Sequence, residues 1–483
     1  MIDLRPINAS LGILVTALGT MMIVPAMVNL VHGDPNWIGF VASALVTVFI
    51  GAMLWLTGRQ AEPGRLSIRQ AFLLTSLAWI VLSAFGAIPF MLSRADLNFT
   101  RAYFEAMSGL TTTGATVLSD LEIVSPGVLM WRSLLQWYGG VGVIVVAIAI
   151  LPALQIGGMQ LFRTEFSEKT EKVLPRVGQI ANGILGAYIL LSLACAGAYF
   201  AAGMSTFDAV NHAMTTLATG GFSTRDASIG AYASPAIEYI AIAFMIAGAL
   251  PMLLFLRAAG GDLGALARNT QVRLFLALVV LLTFASMAQQ RLSGINSGEE
   301  SFRYALFNIT ALITTTGYSA TDYTHWGAAS DALFFFVMFL GACTGSTAGG
   351  LKTFRLAIIG AVIVQHLKRL IYPNGVFRIR YGGTPIGDDV VASVMSFLFL
   401  YLLTFIAVAV ALSVMGYDTL TALSAAVACL AGVGPALGAT VGPAGHYGPL
   451  NDAALWLLSF AMLVGRLELF TVFVLLLPRF WRQ

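Results

Sequence analysis

The sequence predicts an all-α, multi-pass membrane protein with four repeats around a central pore and two further membrane helices at the N-terminus. Two observations lead to this fold class. Hydrophobic residues make up 58% of the chain and charged residues only 10%, against about 25% charged residues in soluble domains. In addition, a short polar stretch containing glycine recurs four times, roughly every hundred residues, always beside an apolar span.

Hydropathy predicts ten membrane spans. The uncharged run "SLGILVTALGTMMIVPAMVNLV" from Ser10, for example, is long enough to cross a hydrocarbon layer about 30 Å thick. It lacks a small-residue cleavage site, so we expect an uncleaved span and not a signal peptide. The predicted spans are residues 8–31, 38–57, 69–93, 130–153, 181–203, 234–257, 272–290, 331–366 (interrupted), 389–415 and 452–478.

Basic residues predict the orientation of these spans. Clusters of Lys and Arg fall on one side of the ten-span topology, and the positive-inside rule makes that side the cytoplasm. Both termini are therefore expected to be cytoplasmic. The residues are Arg5, Arg59, Arg65, Arg69, Arg163, Lys169, Lys172, Arg176, Arg257, Arg268, Arg273, Lys368, Arg369, Arg378, Arg380, Arg479 and Arg482.

The outer connections after the third, fifth, seventh and ninth spans each hold an apolar segment of about a dozen residues. Such a segment is too short to cross the membrane and is typical of a re-entrant half-helix. Three of them start at a Thr, Ser or Asp suited to an N-cap. The segments are "TRAYFEAMSGL" from Thr100, "TFDAVNHAMTTLA" from Thr206, "SFRYALFNITALI" from Ser301 and "YDTLTALSAAVACLAG" from Tyr417.

Each half-helix is followed by a glycine loop: "TTTGAT", "ATGGFST", "TTTGYSAT" and "GVGPALGAT". We align Gly114, Gly221, Gly317 and Gly434, and four copies indicate four-fold pseudosymmetry around one axis. The pattern divides the chain into two N-terminal helices (residues 1–62) and four repeats of span, half-helix, loop and span. The repeats are residues 63–170, 171–265, 266–382, in which the second span is interrupted, and 383–483.

A ring of such loops favours cation binding. Non-helical backbone at membrane depth leaves carbonyl oxygens unpaired, and carbonyls facing one axis can replace the hydration shell of an alkali ion. The negative ends of half-helices that terminate at the loops add to this preference. One Thr-Gly stretch alone is also compatible with close helix packing; four aligned copies favour the filter. "AGVGPALGATVG" lacks the spacing and βαβ context of a phosphate-binding loop.

Other function classes find less support. The net charge of +3 is small for 483 residues, and no nucleic acid partner is expected. A membrane enzyme would need ionisable groups that converge within the spans, and only Arg466 and Glu468 come near this condition, so no enzymatic activity is expected. A structural scaffold gives no reason for four aligned glycine loops.

Charged and small residues in the late spans form a second candidate site. The eighth span contains "GACTGSTAGGLKTFR" from Gly341, where either an unwound segment or close packing of small residues is expected. Arg466 and Glu468 lie within the last span, where they face a cavity or pair with another helix. Lys352 and Arg355 are expected to reach the cytoplasmic boundary. Our hypothesis is a constriction formed by the unwound segment and Arg466.

Acidic residues follow three of the glycine loops. They either concentrate cations at the outer mouth or belong to an ordinary solvated surface; they are Asp120, Glu122, Asp226 and Asp322. His212 on the second half-helix is expected to be a packing residue.

The chain resembles the Trk/Ktr/HKT superfamily of potassium transporters, and closely the bacterial TrkH/TrkG subgroup. The resemblance runs from end to end through the motifs "SGLTTTGAT", "LLQWYGGVGVIVVAIAILP", "GGMQLFRTE", "GGFSTRDASIG", "TTTGYSATD", "GSTAGGLKTFR", "GPALG" and "GRLELFT". It implies four M1-P-M2 units like those of K⁺ channels, K⁺ uptake across the bacterial cytoplasmic (inner) membrane, and no organic cofactor. Glycine at Gly114 implies K⁺ selectivity, since relatives with serine there pass Na⁺.

The resemblance also implies roles for individual residues. K⁺ would bind at the filter, formed by Thr112, Thr113, Gly114, Thr219, Gly220, Gly221, Thr315, Thr316, Gly317, Gly432, Val433 and Gly434. The interrupted span would be an intramembrane gating loop, and the predicted gate comprises Gly345, Ser346, Thr347, Gly349, Gly350, Lys352 and Arg466. A homodimer in membrane lipid and a separate cytosolic nucleotide-binding regulatory subunit are implied as partners.

Two departures from the subgroup stand out. The fourth loop reads "CLAGVGPALG" where an Asn pair is usual, and the sixth span reads "AGALPMLLF" without the expected polar residues. The first departure leaves open a less selective transporter of the same fold that conducts Na⁺ as well as K⁺.

Overall fold

The computed structural model describes residues 2–59, 66–93, 97–149, 177–295 and 298–482. At the N-terminus α1 (Arg5–Met21) and α2 (Ile23–Val31) together form one span, and α3 (Trp37–Gly58) returns across the membrane. Helices α1 and α3 can pack closely because Gly12 and Gly58 have no side chain. A Cβ atom on either residue would overlap the backbone of the opposite helix. Small residues at a helix contact allow this approach in membranes.

The four repeats follow in order. Repeat 1 contains α4 (Ile68–Leu92), the half-helix α5 (Phe99–Leu110) and α6 (Pro126–Ala149); repeat 2 contains α7 (Val177–Ala201), the half-helix α8 (Thr206–Leu217), α9 (Pro235–Ala249), α10 (Met252–Ala259) and the short α11 (Ala265–Arg268). Repeat 3 contains α12 (Thr270–Leu292), the half-helix α13 (Gly298–Ile313), α14 (Ala328–Phe339) and α15 (Thr353–Ile371). Repeat 4 contains α16 (Asp388–Val414), the half-helix α17 (Thr419–Ala431), α18 (Asp452–Arg466), α19 (Phe470–Phe473) and α20 (Pro478–Trp481).

A small antiparallel hairpin lies between repeats 3 and 4. Its strands are β1 (Arg380–Tyr381) and β2 (Thr384–Pro385), paired Arg380 with Pro385 and Tyr381 with Thr384. The predicted boundary at 382/383 falls in its turn, and the boundary at 265/266 falls in α11. The boundaries at 62/63 and 170/171, together with Arg65, Arg163, Lys169, Lys172 and Arg176, lie outside the described residues.

Helices long enough to cross a membrane confirm the predicted fold class. Within the described ranges six helices are long and apolar enough to do so, and two bent pairs raise the number to eight. The helix Pro126–Ala149 and the pair α14 and α15, which an irregular segment separates, occupy the remaining two predicted spans.

Two spans predicted as continuous are bent. Residues 234–257 form α9 and α10, which meet at 94°, and residues 452–478 contain α18 and a second helical segment at 107° to it. Pro251 occupies the first break, where it removes a backbone donor from the helix. The second break follows Arg466, and both Glu468 and Leu469 have positive φ there.

Polar N-caps fix where three of the half-helices begin. Asn98, Ser205 and Asp418 each accept a hydrogen bond from the backbone N–H three residues later, at 3.0, 3.1 and 3.0 Å. The caps therefore precede the starts predicted at Thr100 and Thr206, and α13 begins at Gly298 and not at Ser301. These caps satisfy N–H groups that a helix leaves unpaired at its start.

The half-helices lie inside the protein, whereas the outer faces of the long helices are apolar. Most residues of α5 and α17 are buried. In contrast, Phe49, Leu281 and Phe399 are 64%, 65% and 70% exposed. An apolar surface of this extent on spanning helices is the surface that faces lipid.

Candidate ion-conducting site

The four glycine loops share one backbone conformation. In each loop the aligned glycine and the residue two positions before it have positive φ. The glycines Gly114, Gly221, Gly317 and Gly434 have φ of 84°, 74°, 75° and 92°. The earlier residues Thr112, Thr219, Thr315 and Gly432 have φ of 53°, 49°, 56° and 74°.

Positive φ at a threonine is unfavourable because its branched side chain crowds the backbone, at a cost of roughly 1–2 kcal/mol. Three threonines adopt it here, and the fourth loop uses Gly432 at the same place. Strain of this kind persists where the surrounding structure imposes it and is a feature of functional sites. The atypical fourth sequence thus produces the same backbone shape as the other three.

Each half-helix ends in a Schellman motif that creates this shape. In repeat 1 the N–H of Thr113 donates to the carbonyl of Ser108 at 2.9 Å, and the N–H of Thr112 donates to that of Gly109 at 3.0 Å. The same six-residue closure joins Gly220 to Thr215, Thr316 to Ala311 and Val433 to Ala428, at 2.9, 2.8 and 2.8 Å. The motif satisfies the last helical carbonyls and turns the chain into the loop.

Contacts between the loops close a ring. A Cβ atom added to any of the four glycines would overlap the carbonyl oxygen of the residue that precedes the glycine in the next repeat. The overlaps are Gly114 with Gly220, Gly221 with Thr316, Gly317 with Val433, and Gly434 with Thr113. The order runs from repeat 1 through repeat 4 and back to repeat 1, so the predicted filter residues are brought together around one axis.

This ring has the chemistry of a cation site. Carbonyl oxygens from four loops converge, and the C-terminal ends of four half-helices point at them with the negative ends of their dipoles. A cavity next to the ring is lined by Gly114, Gly221, Gly317 and Pro435, together with Arg225 and Asp226.

A buried ion pair that was not predicted from the sequence lies behind the first two loops and holds them in place. Arg132 Nε donates to Glu105 at 2.7 Å, and the two side chains are 1% and 0% exposed. Glu105 also accepts from the Thr116 hydroxyl and the Val117 N–H, both at 2.9 Å. Arg132 further donates to the carbonyl of Ser223 in the second loop at 2.9 Å. Ionisable residues in a half-helix and a span were the available signal.

Hydroxyl groups brace the loops as well. The hydroxyls of Thr111 and Thr113 lie 2.8 Å apart, and those of Thr314 and Thr316 repeat this contact at 2.8 Å. Tyr447, which the sequence analysis did not single out, donates its hydroxyl to the carbonyl of Gly434 at 2.7 Å.

His212 is a packing residue, as predicted. It is fully buried, its Nδ1 lies 2.9 Å from the carbonyl of Asp208, and its Nε2 lies 2.9 Å from the Ser223 hydroxyl.

The acidic residues outside the ring divide into two groups. Asp226 accepts from the N–H of Leu121 at 3.2 Å, and the N–H of Asp226 donates to Glu122 at 3.3 Å, so these carboxylates cluster at the mouth. Burial raises the pKa of Asp226, and Glu122 and Asp120 raise it further, against the effect of the Leu121 hydrogen bond. Asp322, in contrast, caps a short 3₁₀ turn by accepting from Thr324.

An irregular segment interrupts the eighth span between α14 and α15 and lies directly against the ring. The Thr219 hydroxyl donates to Thr347 Oγ1 at 3.0 Å, and the N–H of Gly349 donates to the Thr315 hydroxyl at 2.7 Å. A Cβ atom on Gly349 would also overlap the carbonyl of Ala431. The segment therefore contacts three of the four repeats at one end of the ring. Gly345 and Gly350 adopt positive φ within it, and Ser346 Oγ donates to the carbonyl of Cys343 at 2.6 Å.

This segment also explains the bend in the sixth span. The N–H groups of Cys343 and Thr347 donate to the carbonyls of Ala249 and Gly248, both at 3.3 Å, and the N–H of Met252 donates to the carbonyl of Gly345 at 3.0 Å. Backbone groups freed by the break at Pro251 thus find partners in the segment, as irregular backbone within a membrane requires. Backbone groups of the segment, and not polar side chains of "AGALPMLLF", make these hydrogen bonds at the break.

The charged side chains next to the segment are buried, which differs from the prediction. Lys352 and Arg355 do not reach the cytoplasmic boundary but are buried at 7% and 1% exposure. Lys352 Nζ donates to the carbonyl of Ala348 at 2.8 Å, and Arg355 forms an ion pair with Glu468. The ion pair with Glu468 accounts for the burial of Arg355. The Nε and Nη2 atoms of Arg466 are buried and have no hydrogen-bond acceptor among the described residues.

Comparisons with known proteins agree with this arrangement. A family model described as TrkH, cation transport protein, matches residues 38–260 and 266–482. The chain belongs to the TrkH family.

Relatives of this TrkH-family chain match over nearly its whole length. It is 43% identical to the Trk system potassium uptake protein TrkI of Halomonas elongata, over 99% of this chain and 97% of that protein. It is 39% identical to the Trk system potassium uptake protein TrkH of Escherichia coli K12, over 99% of each. The crystal structure of the potassium transporter TrkH from Vibrio parahaemolyticus is similar with a TM-score of 0.91 and 36% identity, covering 99% of this chain and 100% of that one.

Proposed function

We propose that this chain takes up K⁺ across the bacterial cytoplasmic membrane, through the ring of four glycine loops as its selectivity filter. The observation that carries the proposal is the closed ring, in which each glycine abuts the carbonyl of the next repeat. The relatives named as potassium uptake proteins support K⁺ as the transported ion.

Rescue of growth on low K⁺ tests this proposal. Cells that lack their own K⁺ uptake should grow on limiting K⁺ when they express the chain, and proteoliposomes that contain it should take up K⁺. Absence of K⁺ uptake both in cells and in proteoliposomes supplied with the regulatory subunit would refute the proposal.

Selectivity for K⁺ over Na⁺ is the second part of the proposal. The alternative, a less selective conductor of Na⁺ and K⁺, rested on the unusual fourth loop, but Gly432 and Gly434 have the positive φ of their counterparts. We expect wild-type uptake of K⁺ to resist excess Na⁺, and Gly114→Ser to admit Na⁺. Equal Na⁺ and K⁺ flux through the wild-type protein would favour the alternative.

We further propose that the interrupted span is a gate. Its irregular part is residues 340–352, and the proposed gate comprises Gly345, Ser346, Thr347, Gly349, Gly350, Lys352 and Arg466. The hydrogen bonds of Thr347 with Thr219 and of Gly349 with Thr315 support this role. The positive charge of Arg466 is expected to slow cations there. Arg466→Ala should therefore increase K⁺ flux in proteoliposomes without a regulatory subunit, and unchanged flux would contradict a role for Arg466 in the gate.

The partners are proposals of the same kind: a homodimer, and a separate cytosolic regulatory subunit that binds nucleotide. The clusters of Lys and Arg support a cytoplasmic position for both termini. The end of α15 offers a surface for a cytosolic partner, since Leu370, Ile371 and Tyr372 are exposed beside Lys368 and Arg369. Mass measurement of the purified complex, with and without the subunit, tests both partners.

A further inference from the structure

One side chain of repeat 1 binds the filter loop of repeat 2 on both sides of its glycine. Gln136 in α6 is fully buried. Its Nε2 donates to the carbonyl of Gly220 at 2.6 Å, and its Oε1 accepts from the N–H of Phe222 at 3.1 Å. The amide thus spans Gly221, the aligned glycine of repeat 2.

The loop of repeat 2 has the sequence that this contact requires. The residue before the aligned glycine is Thr113, Thr316 or Val433 in the other repeats, but Gly220 here. Gly220 does not have the positive φ that favours glycine; instead, a Cβ atom on it would overlap the Gln136 amide. Gln136 therefore occupies the space that a loop side chain fills elsewhere in the ring.

The equivalent positions of two other repeats show that helix packing does not need a polar group there. Glycines 139, 248 and 465 each lie against the carbonyl of the leucine four residues before the aligned glycine of their own repeat, at Leu110, Leu217 and Leu430. Three residues before these glycines the chain has Gln136, Met245 and Met462. Both methionines are buried, and methionine is close to glutamine in length. The amide of Gln136 is thus a specific addition to repeat 1.

We propose that Gln136 is a selectivity-determining positioning residue that fixes the Gly220 carbonyl in the filter ring. A carbonyl oxygen has two lone pairs, so it can accept from Gln136 and still coordinate a cation. Discrimination between cations depends on how firmly and where such oxygens are held. The Gly220 carbonyl also abuts Gly114, so Gln136 couples the loops of repeats 1 and 2. This inference rests on the proposed K⁺ uptake.

Gln136→Met tests the proposal because it places in repeat 1 the residue found in repeats 2 and 4. It keeps the side-chain volume and removes both hydrogen bonds, which leaves the Gly220 carbonyl and the Phe222 N–H without that partner. We expect K⁺ uptake to continue in proteoliposomes, whereas the ratio of K⁺ to Na⁺ flux falls about tenfold. Met462→Leu is the matched control, and its ratio should equal that of the wild type.

Two further variants separate positioning from structural support. In its ionised form Gln136→Glu keeps an acceptor for Phe222 but has no donor for Gly220, so its flux ratio at high pH should also fall. Gly220→Thr should abolish uptake, because its side chain overlaps Gln136. Gln136→Ala combined with Gly220→Thr makes room for the threonine and should recover K⁺ uptake, but with the lowered flux ratio of Gln136→Met.

The outcomes distinguish this inference from the proposed function. If Gln136→Met and Gln136→Glu reduce the amount of folded protein but leave the flux ratio of the remaining protein at the wild-type value, Gln136 is only structural and the inference is wrong. If the wild-type protein itself takes up no K⁺, the proposed function fails, whatever the variants do.

Discussion

The buried pair of Glu105 and Arg132 gives the sharpest test of how the filter is supported. Glu105 accepts from Arg132 at 2.7 Å and from Thr116 and Val117 at 2.9 Å, and both charged side chains are almost fully buried. Removal of one partner leaves a buried charge without compensation, at a cost of about 3–5 kcal/mol in the free energy of unfolding. Glu105→Gln and Arg132→Met should each show this loss.

The double variant provides the decisive comparison. With both charges absent, no unpaired charge stays buried, so the double variant should lose about 2–3 kcal/mol less than the sum of the two single losses. The measurement is the free energy of unfolding of the four proteins in mixed micelles, together with K⁺ uptake after reconstitution. Losses that simply add, or single variants as stable as the wild type, would refute the reasoning that a coupled ion pair supports loops 1 and 2.

Three further predictions concern the ring, its mouth and the segment beneath it. Gly114→Ala should reduce K⁺ uptake more than tenfold, because the new Cβ atom would overlap the Gly220 carbonyl and because residue 114 has a φ of 84°. Gly197→Ala is the control and should transport normally, since open space surrounds Gly197. Equal uptake by the two variants would contradict the ring geometry. The pKa of Asp226 is raised above the ordinary value of 3.8, so in the folded protein this carboxyl takes up a proton at a higher pH than in the unfolded chain. Its charged form therefore opposes folding, and the stability that its protonated form contributes is lost as the pH rises through the raised pKa. Asp226→Asn should thus stabilise the protein slightly at neutral pH and raise the KM for K⁺ about twofold. In the wild type, acidification of the outer solution should raise the KM, and the variant should lose this rise. The same pH dependence of the KM in both proteins would exclude Asp226 as its source. Thr347→Val removes hydrogen bonds of 3.0 Å with the carbonyls of Leu217 and Gly248 and with the Thr219 hydroxyl. K⁺ flux without a regulatory subunit should therefore increase severalfold. A flux equal to that of the wild type would indicate that these bonds do not hold the segment closed.

The sequence allowed prediction of the fold and of the residues that meet in the ring. Hydropathy depends on single residues and short windows, and among the described residues helices lie in each of the ten predicted regions, two of them bent. The aligned glycines were identifiable because one backbone conformation recurs four times, and positive φ at Gly114, Gly221, Gly317 and Gly434 gives glycine a physical advantage at each place.

The bends and the buried pairings were not predictable in the same way. Pro251 was a visible signal for the first bend, but the apolar residues around it resemble a continuous span. The second bend has neither glycine nor proline at residues 467–469; there Glu468 forms an ion pair with Arg355, more than a hundred residues earlier in the chain. Partners such as Arg132 for Glu105, or Gln136 for Gly220, likewise depend on which repeats are neighbours, and hydropathy carries no information about that.

Because the ring is made by one chain, each substitution enters it once, whereas in a pore of four identical subunits it would enter four times. A change that would be lethal in four copies can therefore be tolerated in one quarter. The loop of residues 340–352 interrupts only the third repeat, and the amide of Gln136 reaches only the second. In a single-chain ring, the contacts of one quarter can therefore be changed without changing those of the other three.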